Sequence, residues 1–404
     1  MHISQAVILA GGKGSRLGEK SKNCPKPLQE INGEPFLDYL IWNLKRYGIK
    51  KIILSVGYLG DQIISRYKNG YKFGVEIIYI KETKPLGTGG ALFLCKEKLD
   101  EHFFLINGDT IFDINYHELG YKLLNKQATG VLGVNFSQNA NRYGSVTIKK
   151  DLVLSFEEKS FKKNCYINGG VLAFRKNIFD FLDKETLSLE IDVLPKLVSR
   201  GLLQAVKFNN FFIDIGIPET LNDAQKLLPK WKNKGVILLD RDGVLNIDYG
   251  YVCTRKRFKF VEGAVNSIKL FNRLGLLVIV ITNQSGIGRG FFNEEKFNKF
   301  MEWINNELKS QGAHLDDWFY CPHHPIEAKG KYKKDCDCRK PKSGLIKSAI
   351  KTWKFDKEKA ILIGDKESDL NAAKNLNIKS YKFDHNNERL DTFVKKLQLD
   401  NLQE

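Results

Sequence analysis

At 404 residues the chain is long enough for two domains of ordinary size, and its 42% hydrophobic and 27% charged residues are typical of a soluble globular protein. No apolar run approaches the roughly 20 residues needed to span a bilayer, so we expect no membrane contact. The net charge of +17 favours polyanionic partners, either nucleic acid or phosphorylated small molecules. Because the cations are spread along the chain and no nucleic-acid-binding motif is present, we expect no nucleic acid partner.

Cysteine usage and the N-terminus both favour a cytoplasmic protein. Three of the seven cysteines cluster late and four are scattered, which is not a disulfide framework. The N-terminus has no basic segment followed by a long apolar core, so we expect no signal peptide. The sequence leaves homo-oligomerisation open.

The first predicted strand, residues 5–10, runs into a glycine-rich turn. Backbone N–H groups of such a turn can close on a phosphate, and Lys13 and Arg16 would neutralise its charge. The turn fits neither the P-loop nor the dinucleotide-binding pattern, so alone it indicates only an anion site. In the next motif, Pro25-Lys26-Pro27-Leu28, two prolines hold one lysine in an extended segment.

Several further elements continue an α/β pattern. A helix is predicted over residues 35–47, and buried strands are predicted over residues 51–56, 75–80 and 103–107. A second glycine segment, Leu86-Gly-Thr-Gly-Gly-Ala91, follows the second of these strands. Asp109 follows the third, and Asp214 follows a short later strand at residues 212–214.

Over residues 1–231 these motifs resemble the sugar-1-phosphate nucleotidyltransferase family. The resemblance implies a Rossmann-like α/β domain in which the glycine segments and a lysine bind a nucleoside triphosphate. It implies a magnesium site at Asp109 and Asp214, where the cation screens the triphosphate. The implied nucleotide-binding residues are Ala10, Gly11, Gly12, Lys13, Gly14, Ser15, Arg16, Lys26, Gly87, Thr88 and Gly89.

Three segments between the two aspartates resemble the sugar-contacting part of that family. They imply that Gly144, Glu158, Lys159 and Asn168 bind the sugar phosphate. Ser160 stands where the family usually has proline, so the sugar loop departs from the family pattern at this position. The implied reaction is attack of a sugar 1-phosphate on the α-phosphorus with release of pyrophosphate, and Arg16 and Lys26 are its implied catalytic cations.

A closing helix is predicted over residues 221–228, followed by a short basic joint at residues 229–234. The strand pattern restarts at Gly235, which predicts a second α/β domain over residues 235–404. Its first strand runs into Asp240-Arg241-Asp242-Gly243 and delivers two carboxylates to the edge of a sheet. Asp-x-Asp-Gly also begins calcium loops, but Val244 and Tyr251 stand where that loop needs oxygen ligands.

Later polar groups follow further predicted strands of this domain. Thr282 and Asn283 follow residues 276–281, Asp365 follows residues 359–363, and Arg339 and Lys340 supply adjacent cations. This order resembles the haloacid-dehalogenase phosphatase superfamily. The resemblance implies that Asp240 is the nucleophile, that Asp242 protonates the leaving oxygen, and that both hold magnesium with Asp365. It implies that the substrate is held by Thr282, Asn283, Arg289, Arg339 and Lys340.

Two assignments in this domain have an alternative. Asp369 is interpreted as a carboxylate on a helix face. Lys342 is the alternative to Lys340, which we prefer because it lies nearer the cysteine pair.

Three thiols and one imidazole suit a tetrahedral zinc ion with a structural role, and they are Cys321, His323, Cys336 and Cys338. His324 is the alternative imidazole. With this loop the domain is similar to heptose 1,7-bisphosphate 7-phosphatases and to histidinol-phosphate phosphatases. The first domain also resembles heptose-1-phosphate guanylyltransferases.

The sequence therefore predicts a bifunctional enzyme of GDP-heptose synthesis that uses Mg²⁺ in both domains, Zn²⁺ in the second, and GTP and heptose phosphates as substrates. Histidinol phosphate, another sugar phosphate or another nucleotide remain alternatives, as does a nucleic-acid-binding protein.

Overall fold

The computed structural model describes residues 2–140, 142–158, 162–397, 399 and 402. The chain divides into two units, His2–Lys232 and Asn233–Glu404. Each unit has its own sheet and its own buried cores.

Most strands of the main sheet of the first unit are rich in valine, isoleucine, leucine and phenylalanine, which suits a sheet covered on both faces. The strands of this unit are β1 (Gln5–Ala10), β2 (Glu30–Ile31), β3 (Glu34–Pro35), β4 (Lys51–Val56), β5 (Glu76–Lys81), β6 (His102–Asn107), β7 (Thr110–Phe112), β8 (Gly130–Asn139), β9 (Ser145–Lys149), β10 (Leu152–Glu157), β11 (Lys163–Arg175), β12 (Leu203–Phe208) and β13 (Phe212–Asp214). In the described chain the main sheet has the order β5-β4-β1-β6-β11-β8-β12-β10-β9, and β7 pairs with β13 separately.

Four neighbouring strands of this sheet, β5, β4, β1 and β6, run parallel. Their side chains alternate between two cores, so that Ala6 and Ile8 pack on one face and Val7 on the other. Because the four strands are parallel, their carboxyl ends meet at one edge of the sheet, where open α/β sheets bind ligands.

The helices of the first unit cover the sheet, and they are α1 (Phe36–Arg46), α2 (Gly60–Tyr67), α3 (Gly87–Leu94), α4 (Tyr116–Asn125), α5 (Leu194–Ser199) and α6 (Pro218–Lys232). Short 3₁₀ segments lie at Ser15–Ser21, Lys26–Leu28, Tyr71–Phe73, Lys96–Lys98 and Lys176–Phe181, and a π-helical turn at Leu189–Val193. The predicted strands at 5–10 and 51–56 and the predicted helix at 35–47 are confirmed, the helix to within one residue at each end.

The prediction that a joint begins at Pro229 is wrong, because α6 continues through Pro229 to Lys232. A proline inside a helix leaves the carbonyl four residues earlier without its N–H partner. Here that carbonyl belongs to Gln225, and it accepts a hydrogen bond from Asn32 Nδ2 at 2.9 Å instead. Only Asn233 to Gly235 separate α6 from the first strand of the second unit.

The second unit has a parallel sheet with the order β16-β15-β14-β17-β18 in the described chain. Its strands are β14 (Val236–Leu239), β15 (Leu277–Asn283), β16 (Asp317–Cys321), β17 (Ala360–Gly364) and β18 (Lys379–Lys382). Its helices are α7 (Ala264–Arg273), α8 (Ser285–Arg289), α9 (Glu294–Ser310), α10 (Gly344–Trp353), α11 (Glu367–Lys374) and α12 (Leu390–Val394), with 3₁₀ turns at Arg255–Arg257, Gly330–Tyr332 and Lys357–Lys359.

Alternation along β14 gives this unit three layers. Ile237 and Leu239 face a core shared with α7 and α9, whereas Val236 and Leu238 face a core shared with α10 and α11. The predicted α/β class is confirmed for both units. The carboxyl ends of β14, β15 and β17 again lie at one edge, and Asp240 follows β14 directly.

Candidate active sites

A cavity of about 630 Å³ opens at the carboxyl edge of β1, β4, β5 and β6. Predicted nucleotide-binding residues that line it are Ala10, Gly11, Gly12, Lys13, Gly14, Ser15, Arg16, Lys26, Gly87 and Thr88. Glu82, Asn107, Asp109 and Gly216 also line it. The two glycine segments are far apart in sequence, and the parallel strands bring them together around one space large enough for a nucleotide.

Gly11 begins the glycine turn and lies against Glu82. A Cβ atom at position 11 would lie 2.2 Å from Glu82 Oε1, so a larger residue there would displace the Glu82 carboxylate. Ser55 Oγ donates to the same oxygen at 3.2 Å, and the Leu86 backbone N–H donates to Oε2 at 3.3 Å. The sequence motifs did not identify Glu82, because its proximity to Gly11 depends on the pairing of β4 with β1 and β5.

The second glycine segment forms part of the cavity wall through Gly87 and Thr88. Gly89 is not among the described lining residues: it is buried, and its N–H donates to the Leu187 carbonyl at 3.0 Å. Thr88 lines the cavity, but its hydroxyl donates to Glu190 at 2.6 Å and accepts the Leu189 N–H at 2.9 Å. The hydroxyl of Thr88 therefore orients the 188–190 segment.

Asp109 forms an ion pair with Lys26, whose side chain is buried. Thr110 Oγ1 donates to the other oxygen of Asp109 at 3.0 Å. Burial acts to raise the pKa of Asp109, but the charge of Lys26 outweighs it and the pKa is lowered. The predicted nucleotide-binding lysine and the predicted magnesium ligand are thus adjacent.

Asp214 lies beside Asp109 because β13 pairs with β7, and the Ile215 N–H donates to the Asp109 carbonyl at 2.9 Å. Arg142 Nη2 lies 2.6 Å from Asp214 Oδ1, and the Tyr143 hydroxyl donates to Oδ2. Burial, then the charge of Asp214, raises the pKa of Tyr143, so Tyr143 stays protonated. The structure brings the two predicted magnesium ligands together, and each carboxylate is neutralised by a cationic side chain.

The described residues of the predicted sugar side also lie together. The Asn168 N–H donates to the Gly144 carbonyl at 2.9 Å, and a Cβ at Gly144 would lie 3.0 Å from Glu158 Oε2. Asn168 Oδ1 accepts the Gly170 N–H at 2.9 Å, which orients its side chain. Lys159, the fourth predicted residue, lies outside the described residues.

In the second unit, Lys340 stands at the centre of a carboxylate cluster. Its Nζ lies 2.8 Å from Asp240 Oδ1 and 2.6 Å from Asp369 Oδ1, and it donates to the Ile281 carbonyl at 2.8 Å. Lys342 is instead exposed and pairs with Asp335 at 2.8 Å. These contacts favour Lys340 over Lys342 as the charge-balancing lysine.

Asp240, Asp365 and Asp369 can each bring one oxygen to a common point, since these oxygens lie within 4.8 Å of one another. Burial, and then the charge of Asp369, raises the pKa of Asp240 although Lys340 opposes the shift. Gly243 has φ 92° and packs so closely on Asp365 that a Cβ would lie 2.5 Å from Oδ2.

The structure places two carboxylates differently from what the sequence suggests. Asp369 lies on α11, as expected, but it is buried and its oxygen joins the cluster. The Asp242 side chain is outside the cluster: it pairs with Arg241 and also accepts from Asn246 Nδ2 at 3.0 Å and from Gln284 Nε2 at 2.9 Å. Asp369 Oδ2 also accepts the Lys366 N–H at 3.0 Å, so the residue caps the start of α11, and the local sequence does not distinguish this common capping role from membership of the cluster.

Thr282 and Asn283 lie at the end of β15, beside the cluster. Asn283 Nδ2 donates to the Lys340 carbonyl, its Oδ1 accepts the Lys340 N–H, and both distances are 3.1 Å. Thr282 Oγ1 accepts from Gln284 Nε2 at 2.9 Å. The amide of Asn283 therefore positions the Lys340 backbone.

Arg289 and Arg339 contact the cysteine-histidine loop. Arg289 forms an ion pair with Glu327, and its guanidinium lies 5.3 Å from the centre of the Tyr251 ring. Arg339 Nη1 donates to the His323 carbonyl at 3.1 Å. No described contact joins either arginine to the Asp240 cluster, so their predicted substrate contacts remain predictions.

Four predicted zinc ligands, Cys321, His323, Cys336 and Cys338, have their donor atoms within 4.8 Å of one another. Their sulfur atoms are 3.2 to 3.5 Å apart, and His323 Nδ1 lies 3.3 Å from Cys338 Sγ. A hydrogen bond from Cys321 is the main reason why the pKa of Cys338 is lowered to about 5. His324 Nδ1 accepts the N–H groups of Ile326 and Glu327, so His324 shapes the loop instead of joining the cluster.

Comparison with known proteins identifies two families. Residues 5–230, more than half of the chain, match the family model described as Nucleotidyl transferase. Residues 332–383 match that of the Haloacid dehalogenase-like hydrolase.

Within the described ranges, no helix combines the length and apolar character needed to cross a membrane.

Individual relatives agree with both family matches. The chain is 48% identical over 143 residues to the D-glycero-beta-D-manno-heptose-1,7-bisphosphate 7-phosphatase of Haemophilus influenzae, covering 35% of this chain and 77% of that protein. It is 41% identical over 217 residues to the D-glycero-alpha-D-manno-heptose 1-phosphate guanylyltransferase of Campylobacter jejuni, covering 53% and 96%. A crystal structure of HddC from Yersinia pseudotuberculosis complexed with GMP-PN aligns at 34% identity with a TM-score of 0.50, covering 56% of this chain and 99% of that one.

Proposed function

We propose that this chain, which belongs to the nucleotidyl transferase family through its first unit and to the haloacid dehalogenase-like hydrolases through its second, makes a GDP-activated heptose in two consecutive steps. The second unit removes the 7-phosphate of D-glycero-D-manno-heptose 1,7-bisphosphate. The first unit then transfers GMP from GTP to heptose 1-phosphate and releases pyrophosphate. The observation that carries the proposal is that the two kinds of relative are named for a bisphosphate 7-phosphatase and for an enzyme of the resulting 1-phosphate.

In the phosphatase step, Asp240 attacks phosphorus and forms an aspartyl phosphate, while Asp242 gives its proton to the departing oxygen. Lys340 contacts Asp240 and neutralises negative charge during the attack. Asn283 positions the Lys340 backbone, and Thr282 lies on the same strand end. In the second half of the reaction, Asp242 takes a proton from the water that hydrolyses the aspartyl phosphate.

The carboxylate cluster fits a magnesium ion. Asp365 Oδ1 is buried and has no hydrogen-bond partner among the described residues. The three carboxylates are accompanied by Lys340, beside Asp240 and Asp369, and by the more exposed Lys366, 3.7 Å from Asp365. Such a hard, anionic oxygen set suits Mg²⁺. Asp240, Asp365 and Asp369 would hold the ion, which would screen charge between the phosphate and the nucleophile.

In the transferase step, no protein base is needed, because the phosphate of heptose 1-phosphate is already anionic near neutral pH. Lys13, Arg16 and Lys26 line the cavity and would neutralise the triphosphate. Asp109 and Asp214, on paired strand ends, would hold Mg²⁺, which would screen the reacting phosphates. Gly144, Glu158 and Asn168, together with Lys159, are proposed to bind the sugar phosphate.

Glu82 supports guanine as the base. Among the described lining residues it is one of two carboxylates, and the other, Asp109, is paired with Lys26. The Glu82 carboxylate accepts from two neutral donors, the Ser55 hydroxyl and the Leu86 N–H, so it would repel phosphates and favour a base that offers hydrogen-bond donors. Guanine presents two adjacent donors on its Watson–Crick edge, N1–H and the 2-amino group, which one carboxylate can accept together.

The cysteine-histidine cluster is proposed to hold Zn²⁺ in a structural role. Three sulfur atoms and one imidazole nitrogen match the donor set of closed tetrahedral sites, which leave no position for substrate. The ion would join the loop after β16 to the segment before α10 and so fix the loop that carries Arg339.

Both steps must act on the same anomer of the sugar, because the product of the phosphatase step is the substrate of the transferase step. The phosphatase relative is named for the beta bisphosphate and the guanylyltransferase relative for the alpha 1-phosphate. The transferase reacts at the anomeric phosphate itself, whereas the phosphatase reacts at the other end of the sugar. We therefore assign the alpha anomer to both steps of this chain.

A substrate panel tests the proposal. Alpha and beta heptose 1,7-bisphosphate, and histidinol phosphate, are each offered with each of the four nucleoside triphosphates, and phosphate and pyrophosphate are followed separately. The proposal expects phosphate from the alpha bisphosphate and then pyrophosphate with GTP. Faster phosphate release from histidinol phosphate, or pyrophosphate release with another nucleotide in preference to GTP, would support the alternative substrates.

A further inference from the structure

Arg241 stands between the two aspartates of the phosphatase motif, and its side chain is 0% exposed. Its guanidinium carbon lies 5.5 Å from the centre of the Phe297 ring and 5.9 Å from that of Phe300. Nη2 donates to the Val252 carbonyl at 2.8 Å. A fully buried arginine is uncommon and is retained where its charge is paired, and here α9 and the Val252 carbonyl hold its plane in place.

The partner of this guanidinium is Asp242. Nε donates to Oδ2 at 3.1 Å, while Nη2 lies 2.7 Å from Oδ1 and 2.8 Å from Oδ2. Asn246 and Gln284 add one hydrogen bond to each oxygen. Both oxygens of Asp242 are therefore oriented by donors that belong to the fold, although 16% of the side chain stays exposed.

We propose that Arg241 is a positioning residue that orients the Asp242 carboxyl group for proton transfer, an inference that rests on the proposed phosphatase function. When Asp240 bonds to phosphorus, the bond from phosphorus to the sugar oxygen breaks, and that oxygen keeps the electron pair and takes the Asp242 proton. When water bonds to phosphorus, the bond to Asp240 breaks, phosphate leaves and Asp242 regains a proton from the water. Both transfers need one Asp242 oxygen at a fixed place.

The contacts distinguish positioning from simple charge pairing. A guanidinium holds a carboxylate in one plane because its donors form a rigid fork, whereas an ammonium is a point donor. Gln284 Nε2 reaches both Asp242 and Thr282 Oγ1 at 2.9 Å, so the oriented carboxylate is tied to the strand end beside the nucleophile. We therefore expect the orientation of Asp242, more than its charge, to depend on Arg241.

The test uses two substrates that differ in their need for the proton. The leaving group of heptose 1,7-bisphosphate is a sugar alkoxide, which needs a proton from an acid. The leaving group of p-nitrophenyl phosphate is p-nitrophenolate, which is a stable anion and needs none. We would measure kcat on both with the full chain, with Arg241→Met and with Arg241→Lys. Arg255→Met is the matched control, because Arg255 is exposed and contacts the Trp303 ring.

We expect Arg241→Met to lower kcat on the bisphosphate about 10- to 100-fold more than on p-nitrophenyl phosphate. This difference is smaller than the full contribution of a general acid, because Asp242 is still present. Arg241→Lys should fall between, and Arg255→Met should leave the ratio unchanged. Equal losses on both substrates, or no loss, would overturn the proposal. If Arg241→Met does not fold, Arg241→Lys decides, and failure of both to fold would assign Arg241 to stability. Absence of phosphate release by the unmodified chain would instead refute the proposed function.

Discussion

Nζ of Lys340 lies 2.8 Å from Oδ1 of Asp240, and neither residue is more than 7% exposed. The same nitrogen reaches Asp369, so one buried cation serves two carboxylates while Asp365 lies nearby. Asp240 and Asp369 therefore share one positive charge in a buried setting, while Asp365 is 19% exposed and lies 3.7 Å from Lys366 Nζ. A buried excess of carboxylates is the environment expected around a nucleophile that works with a divalent cation.

Removal of this lysine should destabilise the second unit. We expect Lys340→Met to cost about 3–5 kcal/mol in the free energy of unfolding, because two buried carboxylates lose their counter-charge. Urea unfolding of the full chain, followed by tryptophan fluorescence, measures the change. Lys342→Met is the control and should cost less than about 1 kcal/mol, since its ion pair with Asp335 is exposed. Equal costs would contradict the central place of Lys340.

The first unit should lose stability in mild acid through His102. Burial, and then the charge of Arg175, lowers the pKa of His102, whose Nε2 lies 3.0 Å from Arg175 Nη1 and must accept that donor. Arg175 is held by the carbonyls of Leu123 and Ala128. The unfolded chain therefore binds a proton more readily, and stability falls as the pH drops below the ordinary histidine pKa of about 6.5 toward the lowered value.

Hydrogen exchange of β6 and β11, which pair through His102 and Arg175, reports this change. Protection should decrease between about pH 7.5 and pH 5.5. His102→Gln should remove most of that dependence, because an amide oxygen accepts from Arg175 at either pH. His385→Gln in the second unit should leave it unaltered, and a dependence that survives His102→Gln would exclude this histidine as the cause.

Zinc removal should affect one activity only. We expect about one zinc ion per chain by mass spectrometry of metals, lost in Cys338→Ser or with a strong chelator. Phosphate release should then fall and the second unit should unfold at lower urea, because the binding energy of a structural metal is folding energy. Pyrophosphate release should persist. Cys165→Ser, in the first unit, is the matched control, and normal zinc content in Cys338→Ser would exclude the assigned ligand set.

Glu82 should set the nucleotide preference. We expect Glu82→Gln to reduce the ratio of kcat/KM for GTP to that for ATP about 10- to 100-fold, because a bidentate contact to a base is worth about 1–3 kcal/mol. Glu76→Gln, on the exposed start of β5, should leave the ratio unchanged. A preserved preference in Glu82→Gln would place guanine recognition elsewhere in the cavity.

Strand ends were the most predictable part of both sites. A buried apolar run followed by Asp109, Asp240 or Asp365 specifies where a carboxylate leaves the sheet, and the structure places all three at such edges. The pairing of side chains was less predictable. Whether Asp242 or Asp369 joins Asp240 and Asp365 in the cluster depends on side-chain orientation and on where α11 begins, which local sequence does not encode.

Other differences came from contacts distant in sequence. Pro229 looked like a helix end, yet Asn32, almost two hundred residues earlier, bonds the carbonyl that the proline leaves without a donor. Glu82 carries no motif, and it lines the cavity because the sheet order places β5 beside β4 and the glycine turn against its carboxylate. Tertiary pairing of this kind overrides local signals.

The most direct measurement follows both products from alpha heptose 1,7-bisphosphate with GTP and Mg²⁺, using the full chain and Asp240→Asn. The full chain should release one phosphate and then one pyrophosphate per sugar and form a GDP-sugar. Asp240→Asn should release neither product from the bisphosphate, yet release pyrophosphate normally when heptose 1-phosphate is supplied. Unimpaired phosphate release by Asp240→Asn, or pyrophosphate release from the bisphosphate before any phosphate appears, would contradict the account of two consecutive steps.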